Sequence, residues 1–289
     1  MHVRRPRLSL LVAVGLVTAA CTSGATTTTT SVVDEVSTTT TSTTTTEPNP
    51  TTTLAPPPCL SGTQPYVESG GAGLIERSDS DADTVSGIRW TTHEGCERIV
   101  VEFTAASGAP AVSPPGVGPL FIRSAGVVRL QLDENVTASA MLDQVVDTEL
   151  VAAAYVVRRP TQDLFVDLHL AAPAAVRVSV ASGPARIVVD VVPGGDPYPA
   201  PAFRTGDIVI VDPVGGEIVY PFTVNGYTRR ADGEMTVSLA TGTVSEDHTG
   251  AVGPVGDTWG AFTVLVPDGP VGPASMIVGG RLPFSIDLS

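Results

Sequence analysis

The chain has 289 residues, with 16 basic side chains against 30 acidic ones and a formal charge of −14. That balance argues against a nucleic-acid partner, because binding a polyanion rests on counterion release through Lys and Arg contacts. It argues equally against a basic patch for anionic lipid. Length allows one or two folded domains once tail segments are set aside, and every basic residue is arginine.

His2 to Arg7 carries Arg4, Arg5 and Arg7, Leu8 to Ala20 is an uncharged and mostly apolar run, and Val17-Thr18-Ala19-Ala20 leads into Cys21. Basic, apolar, small is the order of a secretory signal. The run is shorter than the roughly 20 apolar residues that span a bilayer. The stretch resembles the lipobox of bacterial lipoproteins, with Thr18 where that motif usually has an aliphatic residue. The resemblance implies a leader over 1–20, cleavage before Cys21, and attachment of acyl chains such as palmitate to Cys21. The mature protein is then held at the outer face of the cell membrane. A plain signal peptide with an incidental cysteine is the alternative.

Residues 21–58 are almost entirely Thr, Ser and Pro, with runs such as Thr26 to Thr30 and Thr43 to Thr46. Such a segment cannot bury enough apolar surface to offset chain entropy, so a disordered stalk is expected. Fully extended it would reach on the order of 120 Å. Its Ser/Thr content with Pro also suits O-glycosylation. With Cys21 lipidated, Cys59 and Cys96 remain as a pair in an oxidising compartment, and a disulfide between them is the expectation. Two free buried thiols are the alternative.

Residues 59–195 read as a β domain. Glu68 to Asp83 is a Gly/Ser/Asp-rich loop, and Asp79-Ser80-Asp81-Ala82-Asp83 has the opening spacing of a calcium loop. Thr84 and Trp90 stand where such a loop needs glycine and glutamate, which favours a solvated acidic loop. After this the apolar period is two. Ile99, Val101 and Phe103 alternate, as do Val128, Leu130 and Leu132; Leu164, Val166, Leu168 and Leu170; Val176, Val178 and Val180; and Ile187, Val189 and Val191. Period two marks strands with one buried face, so the partners Phe165, Asp167 and His169 are expected on a polar outer face. Thr137 to Val146 alone suits a helical turn or two. The stretches His93 to Phe103 and Gly183 to Val191 resemble the early and closing strands of AMIN-like domains of actinobacterial envelope proteins. That resemblance covers about 85–195 and implies a non-catalytic targeting module tied to peptidoglycan.

Residues 196–206 read as a linker by their Gly, Pro and Ala content. In 207–289, Asp212-Pro213-Val214-Gly215-Gly216 and the strand leading to Pro221 and Gly226 are followed by Trp259-Gly260-Ala261-Phe262. These resemble the immunoglobulin-like domain named from bacterial spore germination proteins, treated as a binding or assembly module. Pro213 suits a turn with Gly215 or Gly216 at a positive angle. Gly226 suits a bulge. Trp259 and Phe262 read as core anchors.

Little in the chain points to catalysis. No Gly-x-Ser-x-Gly, phosphate-cradling glycine loop or Cys-x-x-Cys occurs. His169 near Asp167 reads as an acid–base pair or as part of a solvated face. His93 beside Glu94 lies in a turn and His248 after Glu246 and Asp247 in a loop, without zinc-hydrolase spacing. Arg158 and Arg159 are the candidate site for anionic glycan, since arginine grips carboxylates in a planar fork; a solvated strand end is the alternative. The expectation is therefore an all-β chain of two β-sandwich-like domains without cofactor, metal or enzymatic activity. It would bind peptidoglycan, another cell-wall glycan or an envelope protein. A module docking an envelope complex through its C-terminal domain is the alternative.

Overall fold

The computed structural model describes residues 58–289 except 72, 199–202, 214, 232 and 243. The leader, Cys21 and nearly all of the Thr/Ser/Pro stalk lie outside the described residues. What is described belongs to one compact unit and is all-β. The first eleven strands are β1 (Gly70–Gly71), β2 (Thr84–His93), β3 (Cys96–Thr104), β4 (Val117–Ile122), β5 (Val127–Leu132), β6 (Ala138–Ser139), β7 (Asp143–Val145), β8 (Val151–Arg158), β9 (Leu164–Leu170), β10 (Ala174–Ala181) and β11 (Arg186–Pro193). There follow β12 (Phe203–Arg204), β13 (Ile208–Asp212), β14 (Glu217–Ile218), β15 (Phe222–Thr228), β16 (Glu234–Thr241), β17 (Val244–Ala251), β18 (Trp259–Val266), β19 (Gly272–Val278) and β20 (Arg281–Leu288).

Period-two patterning turns directly into layers. On β3 and β11, Ile99 pairs with Val189 and Val101 with Ile187. All four are fully buried, against Val128 and Leu130 of β5 and Val166 and Leu168 of β9. This first sandwich sets the five-stranded sheet β10-β11-β3-β2-β6 on one half of a ten-stranded sheet. In the second, Met235, Val237 and Leu239 of β16 pack against Val224 of β15 and Phe262 and Val264 of β18. Here the five-stranded sheet β14-β20-β19-β16-β17 covers the other half. Gly95, at φ +79°, makes the tight β2–β3 turn in which His93 faces Cys96.

The expected separation into two modules meets a shared sheet. The ten-stranded sheet runs β1-β4-β5-β9-β8-β18-β15-β13-β12, with β7 on β8, and so crosses from one sandwich to the other. The crossing is a short parallel pairing of β8 with β18, Val157 with Trp259 and Arg158 with Gly260. Glycine is required beside it: a Cβ on Gly253 would lie 2.1 Å from the Arg158 carbonyl oxygen. The expected linker is partly built into the fold. Asp196 pairs with Arg123 at 2.8 Å. The Tyr198 hydroxyl accepts from the Ala174 amide at 2.9 Å. Phe203 and Arg204 add β12 to the shared sheet.

The helical expectation for Thr137 to Val146 is corrected. That stretch contains β6 and β7, because its amides go to β2 and the residue before it: Thr137 to Asp83 and Ala140 to Val85, both at 2.8 Å. In the second sandwich Gly215 and Gly216 take positive φ after Pro213. The bulge expected at Gly226 lies opposite it, in β13, between Ile210 and Asp212. Gly226 itself is a close-approach position, where a Cβ would sit 2.2 Å from the Val209 carbonyl oxygen.

Candidate functional site

The outer face of β9 is where the structure departs furthest from the patterning. Phe165, Asp167 and His169 were expected at a polar surface, yet all three are buried, Asp167 completely. Their cover comes from the second sandwich: Val209 and Val211 of β13, Tyr227 of β15 and Trp259 of β18. The outer faces of the two half-sheets thus close on one another and form a third core. Its centre is aromatic. Tyr155 of β8 meets the Trp259 ring edge-on at 5.3 Å, the Tyr227 ring at 5.3 Å and the His169 ring at 4.9 Å. Trp259, expected as a core anchor, anchors this seam, whereas Phe262 anchors the second sandwich.

The fully buried carboxylate of the seam, Asp167, is matched by an arginine. Arg129 of β5 donates from Nε and Nη2 to the two Asp167 carboxylate oxygens at 2.9 and 2.8 Å. The His169 Nε2 and the Tyr227 hydroxyl share a hydrogen bond. Burial pushes the His169 imidazole down to about 4, against the opposing pull of Asp167. Burial likewise raises the Tyr155 phenol to about 12 and the Tyr227 phenol well above its ordinary value. His169 is therefore neutral at pH 7 and bonded across the seam to Tyr227, while Asp167 is committed to Arg129 on the neighbouring strand.

The adjacent arginines part company, as successive strand-end residues do. Arg158 turns inward: Nη2 donates to the Thr137 carbonyl at 2.9 Å and to Asp257 at 3.3 Å, and Nη1 to the Gln162 carbonyl at 3.4 Å. Arg159 faces a cleft of about 210 Å³ between the two sandwiches, with Arg129, Phe165, Asn225 and Thr263 also in its wall. Both guanidinium groups lie over the Phe165 ring, Arg129 at 4.1 Å and Arg159 at 5.0 Å from its centroid. Arg159 bonds Asp163 through Nη1. Its Nε and Nη2 have no hydrogen-bond partner among the described residues. The Thr263 hydroxyl donates to Asn225 Oδ1 at 2.9 Å across β15 and β18. Guanidinium groups with free N–H groups, held over an aromatic ring, can receive a carboxylate or phosphate. Sequence reading missed Arg129, Phe165, Asn225 and Thr263. The available signal was Arg129 itself, a charge set among the alternating Val and Leu residues of β5.

Other expected positions fall elsewhere. Cys59 and Cys96 form a disulfide, Cα to Cα 6.3 Å, closing a sequence separation of 37 residues. Asp81 of the acidic loop accepts from the backbone amides of Ser113 and Val112, which hold its carboxyl below the usual range. Asp83 accepts from the hydroxyls of Thr84 and Thr137. His93 ends β2, and His248 lies in strand β17 rather than in the expected loop. No group of three or more His, Cys, Asp or Glu arranged to hold a metal ion occurs among the described residues. No helix among them is long and apolar enough to cross a membrane. Compared with known proteins, the chain matches no family model, no curated protein and no solved structure.

Proposed function

We propose that this is a membrane-tethered, non-catalytic cell-envelope lipoprotein that binds peptidoglycan or another wall component through the cleft between its sandwiches. The lipobox-like Cys21, the Thr/Ser/Pro stalk and the AMIN-like strands support the location. The observation that carries the binding reading is the Arg129–Phe165–Arg159 stack, which sets Arg159, with Nε and Nη2 unpaired among the described residues, in the wall of the cleft. Sites at the junction of two modules are a common place for ligands, since both walls contribute groups.

Sedimentation of the purified protein with insoluble peptidoglycan tests the reading. Co-sedimentation that falls with Arg159→Gln supports it. A protein that stays in the supernatant, or one whose sedimentation is indifferent to Arg159→Gln, contradicts it. Docking to an envelope protein through the C-terminal sandwich is favoured by a different observation: Val219, Leu265 and Val271 of that half are more than half exposed. Crosslinking in intact cells would then recover one stoichiometric protein partner.

A further inference from the structure

The outer face of the sheet β10-β11-β3-β2-β6 holds an arrangement that the cleft reading does not use. Thr91, Arg98, Asp190 and Arg177 lie side by side in one row across β2, β3, β11 and β10. Asp190 is almost completely buried and serves two arginines at once. Arg98 donates to it from Nε at 2.7 Å and from Nη2 at 3.1 Å. Arg177 donates to it from Nη2 at 2.7 Å. Two guanidinium groups on one carboxylate leave one positive charge uncompensated, in a chain whose formal charge is −14. Holding such a charge at a partly buried place is costly unless something answers it.

The segment following the disulfide cysteine gives this row a roof. Arg177 Nη2 also donates to the Cys59 carbonyl at 2.7 Å, and the Arg177 guanidinium lies 4.8 Å from the Tyr66 ring centroid. Tyr66 in turn donates its hydroxyl proton to the same Cys59 carbonyl. Gly62 lies directly on the guanidinium, where a Cβ would fall 2.3 Å from Arg177 Cζ. Between roof and sheet is a cavity of about 390 Å³, whose wall includes Arg98, Ser61, Thr63, Gln64 and Ser179. Asp190 is the only acid among its described lining residues. Arg98 Nη1 has no hydrogen-bond partner among the described residues, and the Arg98 side chain is 27% exposed.

We infer that this cavity is a binding site for a carboxylate-bearing ligand, received by Arg98 and oriented by the hydroxyl and amide groups of Ser179, Thr63 and Gln64. Asp190 and Arg177 hold the Arg98 plane fixed, so the fork is preorganised rather than ordered on binding. The site lies on a different sheet from the Arg159 cleft, and its existence does not depend on wall binding there.

The test is an NMR titration of the full-length protein, following the arginine Nε–Hε resonances. The probes are N-acetylalanine, a peptide-type carboxylate, and glucuronate, a sugar-type carboxylate. Saturable movement of the Arg98 resonance with either probe supports the site, and the probe that saturates first assigns the source. Arg98→Gln should weaken that binding by about tenfold, the scale of one charge-assisted contact. Arg89→Gln, on the same face but 76% exposed and paired with Glu102, should leave it unchanged. Three outcomes overturn the inference: no saturable movement with either probe, the same movement with sodium chloride at equal ionic strength, or equal losses in the two variants. Should Arg98→Gln fail to fold, the Arg98 resonance in the unsubstituted protein still decides the matter.

Discussion

The two sandwich cores and the seam between them are built from different chemistry. Each core is a stack of Val, Leu, Ile and Phe side chains from facing strands, such as Ile99 and Val101 against Leu130 and Val166. The seam sets Tyr155, Tyr227 and Trp259 around a neutral histidine, beside the Arg129–Asp167 pair. Aliphatic cores tolerate small errors of shape, whereas a buried charge pair is unforgiving when one partner is lost. Each core fills one half, and the seam packs the two halves against each other.

The largest effect should come from breaking the charge pair. Asp167→Ala leaves Arg129 without its bidentate partner in a site the second sandwich covers, and should cost about 3–5 kcal/mol in chemical denaturation. A comparable loss for Ala substitution at a surface pair such as Arg89–Glu102 would erase the distinction between seam and surface.

The disulfide belongs to the first sandwich rather than to the seam. Replacing both Cys59 and Cys96 by serine should lower stability by roughly 4 kcal/mol, from loop-closure entropy in the chain-entropy treatment. The same denaturation measurement checks it, and the Tyr155–Trp259 contacts should persist in the refolded variant's near-ultraviolet circular dichroism.

The seam also predicts a pH dependence. His169 has its ordinary value of 6.5 in the unfolded chain and about 4 in the folded one, chiefly because it is buried. The unfolded chain therefore takes the proton first as pH falls. The contribution is complete above 6.5, declines as pH drops towards 4, and amounts to at most about 3 kcal/mol. Tyr227, Tyr155, Asp167, Arg129 and Arg204 are the polar groups that bear on this imidazole. In His169→Gln, stability measured at pH 7 and pH 4.5 should differ by clearly less than in the unsubstituted protein. An unchanged difference would place the titrating group elsewhere.

Smaller still is the effect of crowding the crossing point. A methyl group on Gly253 would press on the Arg158 carbonyl, so Gly253→Ala should cost about 1–3 kcal/mol. It should do so by separating β8 from β18, read as faster hydrogen exchange at Arg158 and Gly260. Arg159→Gln sits at the bottom of the order. Its pair with Asp163 is about a third exposed on both sides, so the cost should stay below about 1 kcal/mol while wall binding falls.

The strands of the first sandwich were legible in the sequence because period-two alternation is a local signal: β3, β5 and β11 bury the residues their spacing assigns. The seam was not legible, and β9 shows why. Leu164, Val166, Leu168 and Leu170 announce one buried face, and Asp167 and His169 look like the wet face of an ordinary antiparallel strand. What dries that face is Tyr227 and Trp259, far along the chain, and no local pattern carries that pairing. Arg158 and Arg159 were paired as one candidate site on sequence adjacency, and only Arg159 lines the cleft. Strand geometry sends Arg158 inward to Asp257 and the Thr137 carbonyl. Arg129 and Phe165, which complete the stack, belong to strands whose outer faces were expected to meet only water.

The central claim is that the seam joins the two sandwiches into a single cooperative body. Differential scanning calorimetry of the protein tests it most directly. A single cooperative body unfolds in one transition over the described region, with calorimetric and van't Hoff enthalpies in a ratio of about one. Two resolved transitions, one for each sandwich, would contradict it.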